Sequence, residues 1–295
     1  MAKSDKGYRR GTPLGEFGIF LPYISIPAHR VTQGPMVFFL SAVVKDFFYL
    51  QWSVKLGWRR IPVIAADHPL DSTVPFNPGR ARVYLDFINL WIRTLSMFLS
   101  TLGLKKGLSY CAEFLMYMGR CYRTAARVYR FRMTTTSRPD TEDRLVKTIR
   151  RCDPHYLCVP SLHIMVIALT WTYCRSVLAL EKDAVPPEDA ERFLGELFSG
   201  AVDITESVLY IKQHSVNCIP AALYMLNALA PDLFTVNDAL ALAGALFVEA
   251  DDVTPENRAL IKEHILFQFE RFMLEGIYED DLTAPVKRWL LGVST

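Results

Sequence analysis

From residue 188 onward, wet and dry positions recur with a helical period. Projected at about 100° per residue, Glu191, Arg192, Glu196, Asp203 and Glu206 share one face, while Phe193, Leu194, Leu197, Phe198, Ala201, Ile204 and Val208 share the other. The spacing predicts an amphipathic helix with one wetted side, which a lipid-facing span tolerates poorly. Lys212 projects onto the apolar side, so it is expected to point inward, against an anionic partner.

The same period runs through residues 82–132, with a break near Gly103 and Gly107. A short helical piece follows Arg138-Pro139, then a loop over 153–160, then a helix from Ser161 to about Glu181, with Pro186-Pro187 closing the linker after it. Beyond Pro231, Thr235 with Asp238 predicts an N-terminal cap. Thr254-Pro255-Glu256 starts another helix, with Ile261, Ile265, Phe269 and Phe272 along one stripe. In the first 80 residues, Pro13, Pro22, Pro27, Pro35, Pro62, Pro69, Pro75 and Pro78 leave room for one helix, near 35–55. The expected fold is all-α. A helical core at 81–230 carries the motifs, an N-terminal proline-rich segment (1–80) packs on it, and a helical appendage covers 231–295.

Apolar stretches at 35–52, 84–104, 162–174 and 215–230 raise the question of membrane spans, which need ~20 mostly apolar residues. Each is interrupted or short: Lys45 and Asp46 sit in the first, Asp86 and Arg93 in the second, Arg175 ends the third, and Asn217, Pro220 and Asn227 break the fourth. The basic start at Lys3, Lys6, Arg9 and Arg10 leads into Gly11, Thr12, Pro13 and Gly15 rather than an apolar run, so no cleavable signal peptide is expected. Membrane association, peripheral or weakly integral, is the expectation. The 295 residues, 51% hydrophobic, suffice for a sizeable core. A net charge of +2 says nothing about partners. Cys111, Cys121, Cys152, Cys158, Cys174 and Cys218 have neither disulfide-scaffold density nor metal-ligand spacing, and read as buried free thiols.

Three stretches carry candidate chemistry: Ser137-Arg138-Pro139; Asp153 to His163, which contains Pro160-Ser161-Leu162-His163; and Ser207 to His214, which ends in Lys212-Gln213-His214. Phosphoryl transfer needs cations and amides on the nonbridging oxygens, an in-line nucleophile and an acid for the leaving oxygen. Arg138 and Lys212 supply charge, Ser161 opens a helix whose N-terminus suits an anion, and two histidines can divide attack and protonation.

In order and spacing these stretches resemble the type 2 phosphatidic acid phosphatase and haloperoxidase superfamily. Arg138-Pro139 is similar to the end of its first motif and Pro160-Ser161-Leu162-His163 to its second. Ser207 to His214 is similar to the third motif of a bacterial branch that closes in Lys-Gln-His. The resemblance implies a helical bundle and a metal-independent phosphomonoesterase that uses no cofactor, with a lipid phosphate among its possible substrates. It assigns His214 as the nucleophile that becomes phosphorylated and His163 as the general acid, with Arg138, Ser161 and Lys212 holding phosphate. It departs from the family at Phe131, Val208 and Cys218, which stand where a lysine, an arginine and the aspartate behind the nucleophile are expected. A backbone carbonyl, a water or a displaced acid such as Asp153 or Asp203 must then orient His214. The alternatives are a catalytically inactive relative that binds phosphorylated lipid or a protein partner, and a lipid head-group phosphotransferase.

Cys121 to Arg127 matches the Cys-(five residues)-Arg spacing of cysteine phosphatases, but lies inside a helical pattern with no glycine-lined loop, and is read as accidental. Arg120, Arg123, Arg127 and Arg130 form a stripe able to touch an anionic membrane surface; no nucleic acid is expected. His29, His68, His155 and His264 are read as structural.

Overall fold

The computed structural model describes residues 8–293 and is mostly helical, with two very short strands. The helices are α1 (Phe20–Ala28), α2 (Arg30–Ala42), α3 (Tyr49–Lys55), α4 (Ala81–Leu85), α5 (Phe87–Thr101), α6 (Gly103–Phe131), α7 (Arg144–Cys152), α8 (Leu162–Leu180), α9 (Pro187–Tyr210), α10 (Cys218–Leu229), α11 (Val236–Ala245), α12 (Pro255–Gly276) and α13 (Ala284–Gly292). Six residues of π-helix, Val43–Phe48, join α2 to α3.

The proline spacing underestimated the N-terminal helices. Pro22 sits in the first turn of α1, where its missing N–H leaves no intrahelical bond unmade, and the chain breaks only at His29, whose backbone is extended. Thr32 Oγ1 and Gln33 Nε2 donate to carbonyls of Ile26, His29 and Pro27, so side chains satisfy acceptors left open at that break. Helix therefore extends well to the N-terminal side of the expected 35–55.

α8 is the centre of the molecule. It packs against α5, α6, α9 and α10, and nearly every residue from Leu162 to Cys174 is buried. Its length and apolarity would suit a membrane span, but most of its surface is covered by protein, which identifies it as a core helix. α12 lays Ile261, Ile265, Phe269 and Phe272 against α10, as the stripe predicted. Thr235 and Asp238 form a reciprocal capping box at α11, and Asp238 also pairs with Arg175 of α8. α9 keeps one wet side at Glu191 and Asp203, but Glu206 departs from the projection. It is buried, accepts from the Phe247 N–H at 2.5 Å and pairs with Arg80 at 3.0 Å. Five of the six thiols are buried; Cys152 is exposed. The arginine stripe of α6 is engaged within the chain: Arg123 lies over the Phe38 ring, Arg127 pairs with Asp281 at 2.9 Å, Arg130 pairs with Asp46, and Arg120 lies over Tyr117.

The strands β1 (Val63–Ala65) and β2 (Met133–Thr135) are parallel, with Ile64 opposite Thr134. β2 also stitches down the loop that precedes α8. Thr134 N–H donates to Tyr156 O at 3.0 Å, Cys158 N–H to Thr134 O at 3.3 Å, and Val159 N–H to Thr134 Oγ1 at 2.8 Å. Three groups of Thr134, two backbone and one side-chain, thus fix where residues 156–159 lie.

Two close helix approaches depend on glycine. A Cβ at Gly107 would meet Leu99 Cα and Phe98 O at 2.8 Å; one at Gly119 would meet the Phe38 ring at 2.3 Å. The first obstacle is backbone and cannot yield, whereas the half-buried Phe38 ring can swing outward. Gly107→Ala is expected to destabilise the protein by about 2 kcal/mol despite the roughly 1 kcal/mol that alanine gains in helix propensity. Gly119→Ala should cost less. Paired urea titrations check this, and equal losses would contradict it.

Candidate active site

Ser161 is the N-cap of α8, with its hydroxyl accepting the Ile164 N–H at 3.5 Å, and His163 lies in the first turn of that helix. His214 follows the C-terminus of α9. There Lys212 takes φ 58°, the left-handed conformation that closes a helix end, while the N–H groups of Gln213 and His214 both donate to Val208 O. Two helix ends, one from each motif, therefore meet.

The His214 ring is held on both sides. Nδ1 is 3.1 Å from Cys158 O, and a carbonyl only accepts, so Nδ1 carries the proton. Nε2 then presents its lone pair, with Ser161 Oγ 3.3 Å away as donor. The orienting group behind the histidine is thus a backbone carbonyl, delivered by the loop that β2 stitches in place. Cys218 is turned elsewhere: its sulfur accepts the Ser215 N–H. The His163 and His214 rings are 5.5 Å apart, edge to face, and Tyr84 and Phe87 flank His163 at 4.6 and 4.5 Å.

Burial lowers the pKa of His214 to about 4, against the opposing pull of the Cys158 carbonyl. His163 is pushed well below its ordinary value, by burial first and by His214 second. Both rings are therefore neutral at neutral pH. Burial raises Asp153, with Arg138 opposing.

Arg138 reaches the edge of this space indirectly. Its Nη1 donates to Gln213 Oε1 at 3.1 Å, and Asp153 supplies the largest opposing charge near it. Lys212 faces away, and its partners are not the anion that the projection implied. Its ammonium donates to the carbonyls of Asp71, at 2.6 Å, and Val74, and together with Arg138 it lines a separate shallow pocket with Asp67, His68 and Ser137. Left-handed backbone carries Lys212 off the apolar face of α9, so helical projection does not apply to it.

Two cavities meet at His163. The space beside the imidazoles is about 20 Å³ and is bordered by Asp153, His155, Cys158, Gln213 and both rings. Next to it lies an apolar pocket of about 410 Å³, with Phe39, Val43, Trp91, Met118, Tyr122 and Ile149 in its wall. Phe47, Asp153, Leu162 and His163 border both. His155, read as structural, accepts at Nε2 from the Thr136 hydroxyl at 2.8 Å and stays neutral through burial. Among the described residues, no group of three or more His, Cys, Asp or Glu is arranged to hold a metal ion.

Gln213 was not singled out as a site residue by sequence reasoning, although it lies inside the Lys-Gln-His run. It is 2% exposed, stands close to Tyr84, and its Nε2 makes no hydrogen bond of ordinary geometry among the described residues. A buried amide donor that faces the Tyr84 oxygen beside two imidazoles can also serve an anionic oxygen. The apolar pocket was also missed, since its wall brings together residues 39–48, 84–91, 118–122, 149–153 and 162–163, which no local pattern links.

No family model, curated protein or solved structure matches this chain.

A histidine held neutral in the fold binds fewer protons than its unfolded counterpart between about pH 4 and 6.5, so stability rises with pH across that window and is lost as pH falls. The His214→Gln variant should show a shallower slope there, by up to about 1.4 kcal/mol per pH unit. Urea titrations from neutral to acid pH measure it; an unchanged slope would mean that His214 is not held neutral.

Proposed function

We propose that this chain is a metal-independent phosphomonoesterase working through a phosphohistidine at His214, on substrates that carry an apolar group. The observation that carries the reading is His214 itself, with Nδ1–H locked on the Cys158 carbonyl and the Nε2 lone pair open to the space shared with His163 and Ser161. The resemblance of the three motifs to the type 2 phosphatidic acid phosphatase superfamily supports the same roles.

In the first step Nε2 attacks phosphorus and the P–O bond to the leaving alcohol breaks, the departing oxygen taking a proton from His163. The phosphorylated ring becomes cationic, and the Cys158 carbonyl accepts from the charged ring through Nδ1–H. In the second step His163 removes a proton from water as its oxygen attacks phosphorus. The P–N bond breaks and returns His214 to its neutral form. The Ser161 hydroxyl, the Gln213 Nε2 and the N-terminal amides of α8 serve the nonbridging oxygens, and Arg138 acts through Gln213, whose Oε1 accepts from it. A space of about 20 Å³ holds one water rather than a phosphoryl group, so substrate entry requires Gln213 or Phe47 to move. The apolar pocket, with His163 at its neck, takes the hydrophobic part of the leaving alcohol.

Two features favour a second reading, binding of a phosphorylated amphiphile without turnover. Arg138 and Lys212 are both already engaged, and no carboxylate stands behind His214.

In the free enzyme the acid must be protonated while the nucleophile is neutral. With His214 lowered to about 4 and His163 held well below its ordinary value, kcat/KM should rise as pH falls from neutral into the acid range and decline again once His214 itself is protonated. His214→Ala should lower kcat by at least about 10³-fold and Gln213→Leu by roughly a hundred-fold, at the lower end of the roughly hundred- to thousand-fold that one oxyanion donor is worth, because Gln213 also serves Tyr84. An assay over soluble and amphiphilic phosphomonoesters decides. Wild-type protein that binds such esters without turning them over would establish the second reading.

A further inference from the structure

The N-terminal helices present an apolar surface that none of the described residues covers. On α2 and the π-helical turns, Val37, Leu40, Val44 and Phe48 recur at helical spacing along one exposed stripe, with Arg30 at its N-terminal end. α1 packs beside α2 and exposes Phe20, Tyr23 and Ile24, the first of them 74% exposed. Tyr49 and Trp58 continue the exposed apolar surface past the π-helical turns. Isolated exposed apolar residues are ordinary, but a stripe of this length is not.

The segment that carries it is predominantly basic, and the nearby Asp86 pairs with Arg93 at 3.6 Å. Between residues 17 and 66 the chain carries Arg30, Lys45, Lys55, Arg59 and Arg60, and the single acid is Asp46. Asp46 is buried and already paired with Arg130 of α6. Lys55 lies over the Trp52 ring and Arg59 over the Tyr49 ring, so cations and amphipathic aromatics occur together, as they do at the boundary of a bilayer.

The residues Arg30–Lys55 are long and apolar enough to cross a membrane, yet their packing opposes it. α6 lies behind α2, with Arg123 over Phe38 and Arg130 on Asp46. A crossing would carry the α6 arginines into hydrocarbon, whereas a helix lying in the interface keeps them on the protein side.

The stripe also borders the apolar pocket. Leu40 and Phe48 belong to both, and the exposed Leu85 and Ile88 line the same pocket. We propose that the α1–α3 face docks in the plane of an anionic lipid bilayer, with the mouth of the apolar pocket against the membrane, so that an amphiphilic ligand enters sideways without crossing water. The docking surface is thus not the arginine stripe of α6, which the fold engages internally. Docking itself does not depend on the phosphatase reading, and only the direction of ligand entry does.

The test uses full-length protein and a variant carrying Phe20→Ser, Ile24→Ser, Val37→Ser and Val44→Ser, all at exposed positions outside the pocket wall. Cosedimentation with phosphatidylcholine vesicles, with and without phosphatidylserine, should show binding that needs the anionic lipid, weakens with salt and falls at least about ten-fold in the variant. Circular dichroism and the Tm should be unchanged, as should turnover of a water-soluble phosphomonoester if the wild type shows any. Wild-type protein that fails to bind the anionic vesicles would overturn the proposal, and so would binding that the variant retains. Vesicle-bound protein that resists carbonate and yields only to detergent would overturn it in favour of a span. A wild-type dimer that does not bind vesicles and is dispersed by the four substitutions would overturn it in favour of a second copy as the occupant.

Discussion

One hydrogen bond decides what His214 can do. With Nδ1–H on the Cys158 carbonyl, the imidazole has a single tautomer, and its lone pair can point only toward Ser161 and the space shared with His163. That carbonyl is in turn placed by Thr134, which bonds to Tyr156, Cys158 and Val159, and β2 is placed by its pairing with β1. The two short strands thus have a role out of proportion to their length in a helical protein. They hold the loop before α8, and Ala66 just beyond β1 accepts from Asn217 Nδ2 at 3.1 Å, which ties the segment after α9 to the same strands.

The same burial that neutralises the two rings creates the demands the site must meet. A neutral His214 suits a nucleophile, but a neutral His163 does not suit an acid, so the proposed chemistry belongs to acid conditions or to a complex in which a bound phosphate dianion raises His163. A carbonyl dipole offsets less of the charge on a phosphorylated ring than a carboxylate would. Apolar walls surround the neck at His163, and a low-dielectric surround strengthens the electrostatic contacts there. On the proposed reading, these walls are what would favour an amphiphile over a small, fully hydrated phosphate.

Much of this was legible in the sequence because it depends on local rules. Ser161 as an N-cap, the Thr235–Asp238 box and the α12 stripe each follow from residues within a turn or two of one another. The convergence of His163 and His214 was reachable only through the order of the motifs, since no periodicity links positions 51 residues apart. What failed was non-local. Projection placed Lys212 inward because it assumed that α9 continued, whereas the chain turns left-handed at Lys212 and its ammonium caps carbonyls of the 71–74 segment. The proline count concealed α1 and the first turns of α2, because side chains of Thr32 and Gln33 satisfy the acceptors at the break. Glu206 looked like a wet-face residue until the Phe247 N–H and Arg80 gave it buried partners.

The central claim is that His214, not Ser161, takes the phosphoryl group. The two stand 3.3 Å apart, and the His214 lone pair could equally act as a base for the serine hydroxyl. Their phosphorylated forms differ in chemistry, since a phosphoramidate is labile to acid and stable to alkali and a phosphate ester of serine is the reverse. Rapid mixing with a labelled amphiphilic phosphomonoester, followed by parallel acid and alkaline quenching and peptide mapping, separates them. The account predicts label that survives alkali, is lost in acid and maps to His214. Acid-stable label on Ser161 would contradict it.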